Sequence, residues 1–587
     1  MVDPVVGKGL PIIPQNPAPS LMIWHPPGSC QIVLASSFPD SMQIVGAHPR
    51  AALFAEKPPS FGGGRTEGPG GVPPQGGSGG GGDDNNERIE TMRVKIGDLM
   101  NDSGVKFGTS GARGLVRDMT DRVSFAYTMG FLQYLMSRWD LKEGDPVAVA
   151  GDLRTSTDRI MAAAAAAADY LGCRVINLGK VPSPASAYYG LLGRMPVVMV
   201  TGSHIPDDRN GIKFNKVDGE ILKDDETGIK GTVVDLPLHL FKDDGSFVEG
   251  TVKPMPEATA EAGEMFVARY LDFFGPKALE GVKIALYQHS AVGRDLLERV
   301  LKGLGADVIS LGRSDKFIPV DTEAIRIEDA EFARRVASEG RFDAIVSTDG
   351  DSDRPLVAGR DGRWLRGDVL GIFAAKYLAA DWVSTPVSCN SALEKSGLFA
   401  NVRRTRIGSP FVIASMMEGL KEKKKRVVSY EANGGFLIAT DIEISGRVLK
   451  ALPTRDSFLP IIATILLARQ EGRGVADLRA SDPQPETASS VIRNFPPEKS
   501  AAISKQLATG DSWTDQPRIN DRFAPLFGQL KTIDYTDGLR LRFHNDEVVH
   551  LRPSGNAPEF RVYTEAASEE RAMEINRMAR GVIEKMI

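Results

Sequence analysis

Cysteine is scarce in this sequence. Its 587 residues contain three, Cys30, Cys173 and Cys389, and none of them forms a CxxC pair. This scarcity argues against a disulfide framework and a structural zinc site, and it is typical of a reducing cytosol. Long apolar runs are also missing, since no stretch reaches the roughly 20 residues that a membrane-spanning helix needs. We therefore expect a soluble, cytoplasmic protein with no membrane partner.

An excess of positive charge is likewise absent. Lys and Arg number 71 against 76 for Asp and Glu, which leaves a formal charge of -5 and no basic field to hold nucleic acid. Apolar residues make up 42% and charged residues 25%, values typical of a globular protein. A chain of this length is expected to form about three to five domains.

The first 91 residues show no hydrophobic periodicity. Prolines interrupt them, and glycine tracts follow at 62–64 and 76–82. Because glycine loses much backbone entropy on folding and buries no side chain, we predict that residues 1–91 are a disordered extension. A further hypothesis is that the natural start is Met92, which opens a sequence of ordinary composition. N-terminal sequencing of the native protein would test it.

From Met92 onward, apolar β-branched segments alternate with segments of helical periodicity, a pattern typical of α/β domains. Predicted strands are 146–150, 174–178, 196–200, 282–287, 307–311, 344–348 and 426–430, and predicted helices are 124–138, 156–171, 294–304, 327–338 and 409–420. The alternation occurs three times, which predicts related α/β domains at 92–260, 261–378 and 379–486 around one cleft. Residues 487–587 change to several strands and a closing helix and are predicted to form a smaller α+β domain.

Ser203 follows the predicted strand 196–200 directly. Open α/β sheets bind ligands at the carboxyl ends of their strands, so Ser203 would stand where a ligand binds. His204 and Lys213 can supply protons or charge there. A polar turn with an incidental serine is the commoner meaning of such a stretch. Here the other motifs favour the chemical interpretation.

Three carboxylates stand at alternate positions of the segment 349–354: Asp349, Asp351 and Asp353. Like charges repel by about 1 kcal/mol at ~4 Å even in bulk water, so a cation would stabilise the cluster. Oxygen ligands favour Mg²⁺, Ca²⁺ or Mn²⁺, and a solvated acidic turn is the alternative. An EF-hand is excluded because Arg354 and Arg360 occupy the positions that require glycine and glutamate. Arg354 is better suited to bind a phosphate that the metal also contacts.

Three further loops carry polar groups suited to a sugar phosphate. The segment 552–561 offers Arg552, Ser554, Gly555, Asn556 and Arg561, which could surround a phosphate, although a hairpin loop explains it equally well. On the loop 431–435, a carboxylate and an amide could bind adjacent hydroxyls, and a glycine turn is the alternative there. The segment 106–114 is a donor-rich loop that contains Arg113.

These motifs resemble those of the α-D-phosphohexomutase family, and the resemblance extends from about Lys106 to the C-terminus. Four occur in the family's order: Phe-Gly-Thr-Ser-Gly-Ala-Arg-Gly at 107–114, Thr-Gly-Ser-His-x-Pro at 201–206, Asp-Gly-Asp-Ser-Asp-Arg at 349–354 and Arg-Pro-Ser-Gly-Asn at 552–556. The resemblance implies a four-domain, heart-shaped enzyme in which three α/β domains with mixed sheets and a TBP-like α+β domain surround a central cleft.

The resemblance also implies roles for individual residues. Ser203 would be a phosphoserine that, with Asp349, Asp351 and Asp353, holds Mg²⁺. Lys213 and Arg113 would assist proton transfer, and Glu431 and Asn433 would bind sugar hydroxyls. Arg552, Ser554, Gly555, Asn556 and Arg561 would hold the distal phosphate. Two positions depart from the family, since Asn433 stands where serine is usual and Ser409 where histidine or aspartate is common, and both lie where the sugar is recognised.

The predicted reaction interconverts hexose 6-phosphate and hexose 1-phosphate through a hexose bisphosphate intermediate. Mannose phosphates are the favoured substrates, followed by glucose and then glucosamine phosphates. A serine-dependent sugar phosphatase and a non-catalytic sugar-phosphate sensor are the alternatives. The oligomeric state is left open between a monomer and a homodimer.

Overall fold

A computed structural model describes residues 90–108, 111–481, 485–553 and 559–586. Of the disordered extension predicted for residues 1–91, residues 1–89 lie outside the described residues, and Thr91 is the first residue of a strand. The natural start at Met92 remains a hypothesis. None of the helices in the described ranges is long and apolar enough to cross a bilayer.

The first mixed sheet carries Ser203. Its region comprises β1 (Thr91–Lys95), α1 (Ile96–Ser103), β2 (Lys106–Phe107), β3 (Gly111–Leu115), α2 (Asp121–Ser137), β4 (Pro146–Gly151), α3 (Thr157–Tyr170), β5 (Arg174–Lys180), α4 (Ser183–Gly193), β6 (Val197–Val200), β7 (Arg209–Lys216), β8 (Gly219–Glu220), α5 (Lys223–Gly231) and β9 (Val233–Pro237). The strand order is β2-β3-β7-β6-β4-β5, with β8 paired to β7. β4 is parallel to β5 and β6, whereas β7 is antiparallel to β6, so the chain reverses direction just after Ser203.

The second sheet carries the acidic segment. Its region comprises α6 (Glu261–Phe274), β10 (Lys283–His289), α7 (Arg294–Gly303), β11 (Asp307–Arg313), α8 (Ile327–Ser338), β12 (Ala344–Thr348) and β13 (Pro355–Ala358). The order is β11-β10-β12-β13, in which only β13 is antiparallel.

The third sheet carries Glu431 and Asn433. Its region comprises α9 (Gly367–Tyr377), β14 (Trp382–Pro386), α10 (Ala392–Lys395), β15 (Val402–Thr405), α11 (Ser409–Lys421), β16 (Val427–Tyr430), β17 (Phe436–Ile438), β18 (Ile442–Ile444), β19 (Arg447–Leu449), β20 (Leu452–Asp456), α12 (Phe458–Gln470) and α13 (Val475–Ser481). The order is β15-β14-β16-β17-β20, with β17 antiparallel to both neighbours.

One topology therefore occurs three times. In each sheet a fully buried strand, β6, β12 or β16, is parallel to its inner neighbour and antiparallel to the strand that follows it in the chain. Burial on both faces explains why these three strands consist mainly of apolar residues. The Ser203 loop, the acidic segment and the 431–435 loop are the three connections that leave these strands.

The C-terminal region has a different architecture. It comprises β21 (Glu486–Arg493), α14 (Pro497–Leu507), α15 (Ser512–Phe527), β22 (Leu530–Asp534), β23 (Leu539–Phe543), β24 (Val548–Pro553), β25 (Glu559–Ala566) and α16 (Glu569–Glu584). Its antiparallel sheet has the order β21-β25-β24-β23-β22 and a core of its own. The predicted fold class, α/β units with mixed sheets followed by an α+β unit, is confirmed.

The first three sheets share one continuous apolar core, to which α4, α6, α9 and α12 all contribute. These sheets consequently do not pack as separate bodies. The domain borders predicted at residues 260, 378 and 486 remain a proposal.

Candidate active site

Ser203 occupies a strained and buried position between β6 and β7. Its backbone lies in the left-handed region with φ of +56°, which a side chain adopts at an energetic cost, and the residue is 1% exposed. Its Oγ donates a hydrogen bond to Asp349 Oδ2 at 2.7 Å. The structure thus brings the serine and the acidic segment, 146 residues apart in the chain, into direct contact.

The loop that presents Ser203 is organised around Arg154, a residue to which the sequence pattern assigned no chemistry. Its buried guanidinium donates hydrogen bonds to the carbonyl oxygens of Ser203, Ile205, Pro206 and Arg209 at 2.6 to 3.0 Å. These bonds tie four backbone carbonyls of the loop to one side chain, and the bond to the carbonyl of Ser203 is buried. Gly202 is required beside it, because a Cβ there would lie 2.6 Å from Arg154 Cζ.

We expect Arg154→Met to loosen this loop. Charged hydrogen bonds contribute about 1.5–3 kcal/mol each, so losing them should raise amide hydrogen exchange around residues 202–209 by ~10² or more. Mass-spectrometric hydrogen exchange would measure this, with Arg159→Met as the control because Arg159 is half exposed and pairs with Asp121 away from the loop. Equal protection of the loop in both variants would contradict the role given to Arg154.

The acidic segment forms a group able to hold a metal ion. Oxygens of Asp349, Asp351 and Asp353 lie within 4.8 Å of one another, and all three residues are buried. Lys213 Nζ donates to Asp351 Oδ2 at 2.5 Å and to Asp353 Oδ2 at 2.7 Å. Among the described residues, Asp351 Oδ1 and Asp353 Oδ1 have no hydrogen-bond partner although they are buried. Buried carboxylate oxygens without donors suit a cation of the oxygen-preferring class.

Burial and mutual repulsion set the protonation of this cluster. Burial, together with the charges of Asp351 and Asp353, holds the pKa of Asp349 well above its usual range. Burial disfavours the charged Lys213 as well, but Asp351 and Asp353 outweigh it and raise the pKa of the ammonium group. Lys213 therefore remains charged, and a cation bound at the cluster would favour the ionised form of Asp349.

His204 lies beside the serine and Arg113 lies near His204, and the two differ in charge. His204 Nδ1 is 3.3 Å from Ser203 Oγ, and burial with the nearby Arg354 and Arg113 lowers the pKa of His204 to about 2. The imidazole is thus neutral and acts as a hydrogen-bonding group without supplying positive charge. Burial lowers the pKa of Arg113 to about 10, so its guanidinium stays charged at neutral pH.

One cavity connects these groups with the sugar-binding candidates of the third sheet. It is lined by Arg113, Thr201, Lys213, Arg354, Glu431 and Arg455. Asn433 Nδ2 donates to Glu431 Oε2 at 3.1 Å, so the two polar groups of the 431–435 loop lie together. Arg455 is a site residue that the sequence pattern missed. Because it lies at the end of a short strand, only the tertiary structure shows that its side chain reaches this cavity.

Ser409 is bound to a residue of the first sheet. Its Oγ donates to Glu220 Oε2 at 2.9 Å, and Thr454 Oγ1 donates to Glu220 Oε1 at 2.5 Å. Glu220 is another residue that sequence reasoning did not single out. Ser409 belongs to a polar cluster that joins the first and third sheets, and its contact with a sugar remains a prediction.

Arg552 and Arg561 face each other as register partners on β24 and β25. Arg552 Nε lies 3.0 Å from Asp537 Oδ1, and Asp537 Oδ2 accepts a hydrogen bond from the backbone of Ile407 in the third region. Within the described ranges, no hydrogen bond or ion pair joins either arginine to Ser203 or the acidic segment. Ser554, Gly555 and Asn556 lie outside the described residues, so the distal phosphate site remains a prediction.

The chain is similar to known proteins over most of its length. Residues 104–235 match the family model described as phosphoglucomutase/phosphomannomutase, alpha/beta/alpha domain I, and residues 495–582 match the C-terminal domain of the same family. It is 41% identical to phosphomannomutase of Salmonella muenchen, over 81% of this chain and 95% of that one, and 41% identical to phosphomannomutase of Sinorhizobium fredii, over 80% and 96%. Identity to phosphoglucosamine mutase of Latilactobacillus sakei is 24%, over 79% and 95%.

Solved structures resemble the fold. A phosphoglucomutase/phosphomannomutase family protein from Burkholderia thailandensis matches with a TM-score of 0.60 at 18% identity, over 81% of this chain and 96% of that one. N-acetylphosphoglucosamine mutase of Aspergillus fumigatus, solved with GlcNAc-6P and magnesium, matches with a TM-score of 0.53 at 14% identity, over 84% and 99%. At these identities the likeness supports the fold alone.

Proposed function

The chain belongs to the phosphoglucomutase/phosphomannomutase family, as its motifs predicted, and we propose that it is a phosphomannomutase that interconverts mannose 6-phosphate and mannose 1-phosphate. The observation that carries the proposal is the 2.7 Å contact between Ser203 Oγ and Asp349 Oδ2, because Asp349 is one of three carboxylates whose arrangement could hold a metal ion. A nucleophilic oxygen, a cation site and a charged lysine in one buried place are the components that phosphoryl transfer requires.

In the proposed reaction, Ser203 carries a phosphoryl group and gives it to the free hydroxyl of the bound sugar phosphate. The hydroxyl oxygen bonds to phosphorus as the bond between phosphorus and the serine oxygen breaks, the proton of the hydroxyl replaces the one that Lys213 gives to the serine oxygen, and a hexose bisphosphate forms. The intermediate then reorients, and its other phosphate returns to Ser203. Arg552 and Arg561, with Ser554, Gly555 and Asn556, hold whichever phosphate is not reacting.

Lys213 is the proposed proton carrier, with Arg113 assisting it. Its pKa is raised by Asp351 and Asp353, so it begins as a charged acid that can protonate the departing serine oxygen. Arg354, 3.8 Å from Asp349 Oδ2, lies where it can bind the phosphoryl group. His204, being neutral, holds the serine side chain in place. Burial of Ser203 keeps water from hydrolysing the phosphoserine.

Magnesium is the proposed cofactor. Asp349, Asp351, Asp353 and an oxygen on Ser203 would hold it, and the all-oxygen donor set, with two buried carboxylate oxygens that accept no hydrogen bond from a described residue, fits this ion. When bound, it would neutralise charge on the transferring phosphoryl group. The cytoplasm is the proposed location.

Substrate preference needs a direct test. The two positions that depart from the family, Asn433 and Ser409, are those at which the resemblance places sugar recognition. We expect kcat/KM to be highest for mannose 1-phosphate, lower for glucose 1-phosphate by up to ~10-fold, and lowest for glucosamine 1-phosphate. Each assay would contain a trace of the matching bisphosphate as primer. A higher kcat/KM for glucose or glucosamine phosphate would replace phosphomannomutase with the corresponding mutase.

The same assay separates the alternative functions. Steady release of inorganic phosphate without 6-phosphate product would identify a phosphatase. Binding without turnover of any of the three sugar phosphates would identify a sensor. A sensor would not need a buried lysine and three carboxylates arranged for phosphoryl transfer.

A further inference from the structure

Arg455 connects the two halves of the active-site cavity. The residue is 5% exposed and extends from the end of β20 between the acidic segment and the 431–435 loop. Its Nε donates to Asp353 Oδ2 at 2.9 Å, and its Nη1 lies 3.5 Å from Glu431 Oε1. One guanidinium therefore contacts a carboxylate of the cation site and a carboxylate of the sugar loop. Its planar fork can bridge two such groups, whereas a lysine could satisfy only one well.

The space that Arg455 occupies exists because residue 435 is glycine. A Cβ at Gly435 would lie 2.6 Å from both Cγ and Cδ of Arg455 and 2.9 Å from its Cβ, closer than side chains tolerate. Gly435 is not in the left-handed backbone region, unlike Gly434 with φ of +87°. Space, and not backbone conformation, is what requires glycine at position 435.

Nearby acidic side chains determine the charge of Arg455. Burial alone would lower its pKa, but Asp353, Glu220 and Glu431 outweigh burial and keep the guanidinium charged. Glu431 receives only one other described side-chain hydrogen bond, from Asn433 Nδ2. Without Arg455, the sugar-loop carboxylate would lose its cationic partner while remaining buried.

We propose that Arg455 is a positioning residue that aligns the sugar-binding carboxylate Glu431 with Asp353, and that Gly435 is its obligatory companion. The proposal rests on the proposed function and deepens it, because it states what fixes the sugar loop relative to the phosphoryl-transfer group. Arg455 acts through Glu431, so its loss should weaken sugar-phosphate binding through the same contact that a Glu431 variant removes.

A double-mutant cycle tests the coupling to Glu431. In full-length Ser203→Ala protein, calorimetry would measure the Kd of mannose 6-phosphate for Arg455→Met, Glu431→Gln and the double variant. We expect each single change to raise Kd by ~10-fold or more. The Kd of the double variant should be about the same as that of the weaker-binding single variant. Arg455→Lys should retain part of the affinity. If the fold-increases in Kd of the two single variants multiply in the double variant, the residues act independently and the proposal is overturned. An unchanged Kd in Arg455→Met would also overturn it.

A second cycle tests Gly435. Gly435→Ala should raise the same Kd by ~10-fold or more in the presence of Arg455, and should have little effect in an Arg455→Gly background, where the Cβ, Cγ and Cδ atoms that the new methyl group would meet are all absent. Gly581→Ala is the matched control, because a Cβ there meets nothing within 4 Å. An equal effect of Gly435→Ala in both backgrounds would show that Arg455 is not the reason for the glycine.

The two proposals can fail separately. Absence of mutase turnover in the unmodified protein would overturn the proposed function. Normal turnover combined with uncoupled cycles would overturn only the role of Arg455.

Discussion

Replacing Ser203 with alanine is expected to lower mutase turnover by at least ~10³, the scale on which enzymes lose activity when a nucleophile is removed. The change deletes the oxygen that contacts Asp349 and leaves the surrounding loop tied to Arg154 through backbone carbonyls. The site should therefore stay assembled but be unable to carry a phosphoryl group. Coupled assay of mannose 6-phosphate formation would measure the loss.

A second measurement links that loss to covalent chemistry. Intact-protein mass spectrometry after incubation with hexose bisphosphate should show one added phosphoryl group on the unmodified protein and none on Ser203→Ala. Ser186→Ala is the matched control, since this fully buried serine lies on α4 and donates only to a backbone carbonyl. Near-normal turnover of Ser203→Ala would remove Ser203 from the mechanism.

Sequence periodicity located the central strands closely because burial on both faces imposes a continuous apolar composition. The predicted strand 196–200 corresponds to Val197–Val200, and 344–348 to Ala344–Thr348. The helix Ser183–Gly193 was missed, because most of the residues in its first two turns are small or aromatic and nearly all are buried, so no polar face marks its periodicity. Alternating polarity is the signal that sequence reasoning uses, and a helix whose first two turns are buried lacks it there.

The residues of the site also include some that the sequence predicted and some that it did not. Ser203 and the acidic segment were predictable because each follows a buried strand, and the repeated topology places such loops at equivalent positions in each sheet. Arg154 and Arg455 were not predictable. Each acts by reaching across to another segment: the loop carbonyls that Arg154 binds lie 49 to 55 residues away in the chain, and the carboxylates that Arg455 contacts lie 24 and 102 residues away. Side-chain reach of this kind leaves no local pattern.

In the segment 106–114, the local structure predicted from the sequence differs from the one observed. We predicted a donor-rich loop, and the structure instead places Arg113 inside β3, opposite Gly211 of β7. The alternation of small residues and glycine resembles a loop in sequence. Residues 111–114 belong to a strand that packs closely against β7, and this packing requires small residues, because a Cβ at Gly111 would collide with the backbone of Ile212.

The second large effect is expected from Asp351→Asn. Asp351 is fully buried, accepts hydrogen bonds from Lys213 Nζ at 2.5 Å and from Ser183 Oγ at 2.6 Å, and keeps its Oδ1 without a partner among the described residues. An amide preserves the volume but removes the charge on which cation binding depends, and one of its two positions becomes a donor that repels a cation. We expect Mg²⁺ affinity to fall by ~10² or more and turnover by ~10³ at subsaturating Mg²⁺.

Calorimetric titration with Mg²⁺, together with turnover at increasing Mg²⁺ concentration, would measure both effects of Asp351→Asn. Asp361→Asn is the matched control, because Asp361 lies on an exposed turn of the same region. If lost affinity is the cause, high Mg²⁺ should restore part of the turnover of Asp351→Asn, since mass action refills a weakened site. Unchanged Mg²⁺ affinity would show that the cation does not bind Asp351. Lost turnover with normal affinity would instead assign the effect to Lys213, whose pKa depends on the same carboxylate.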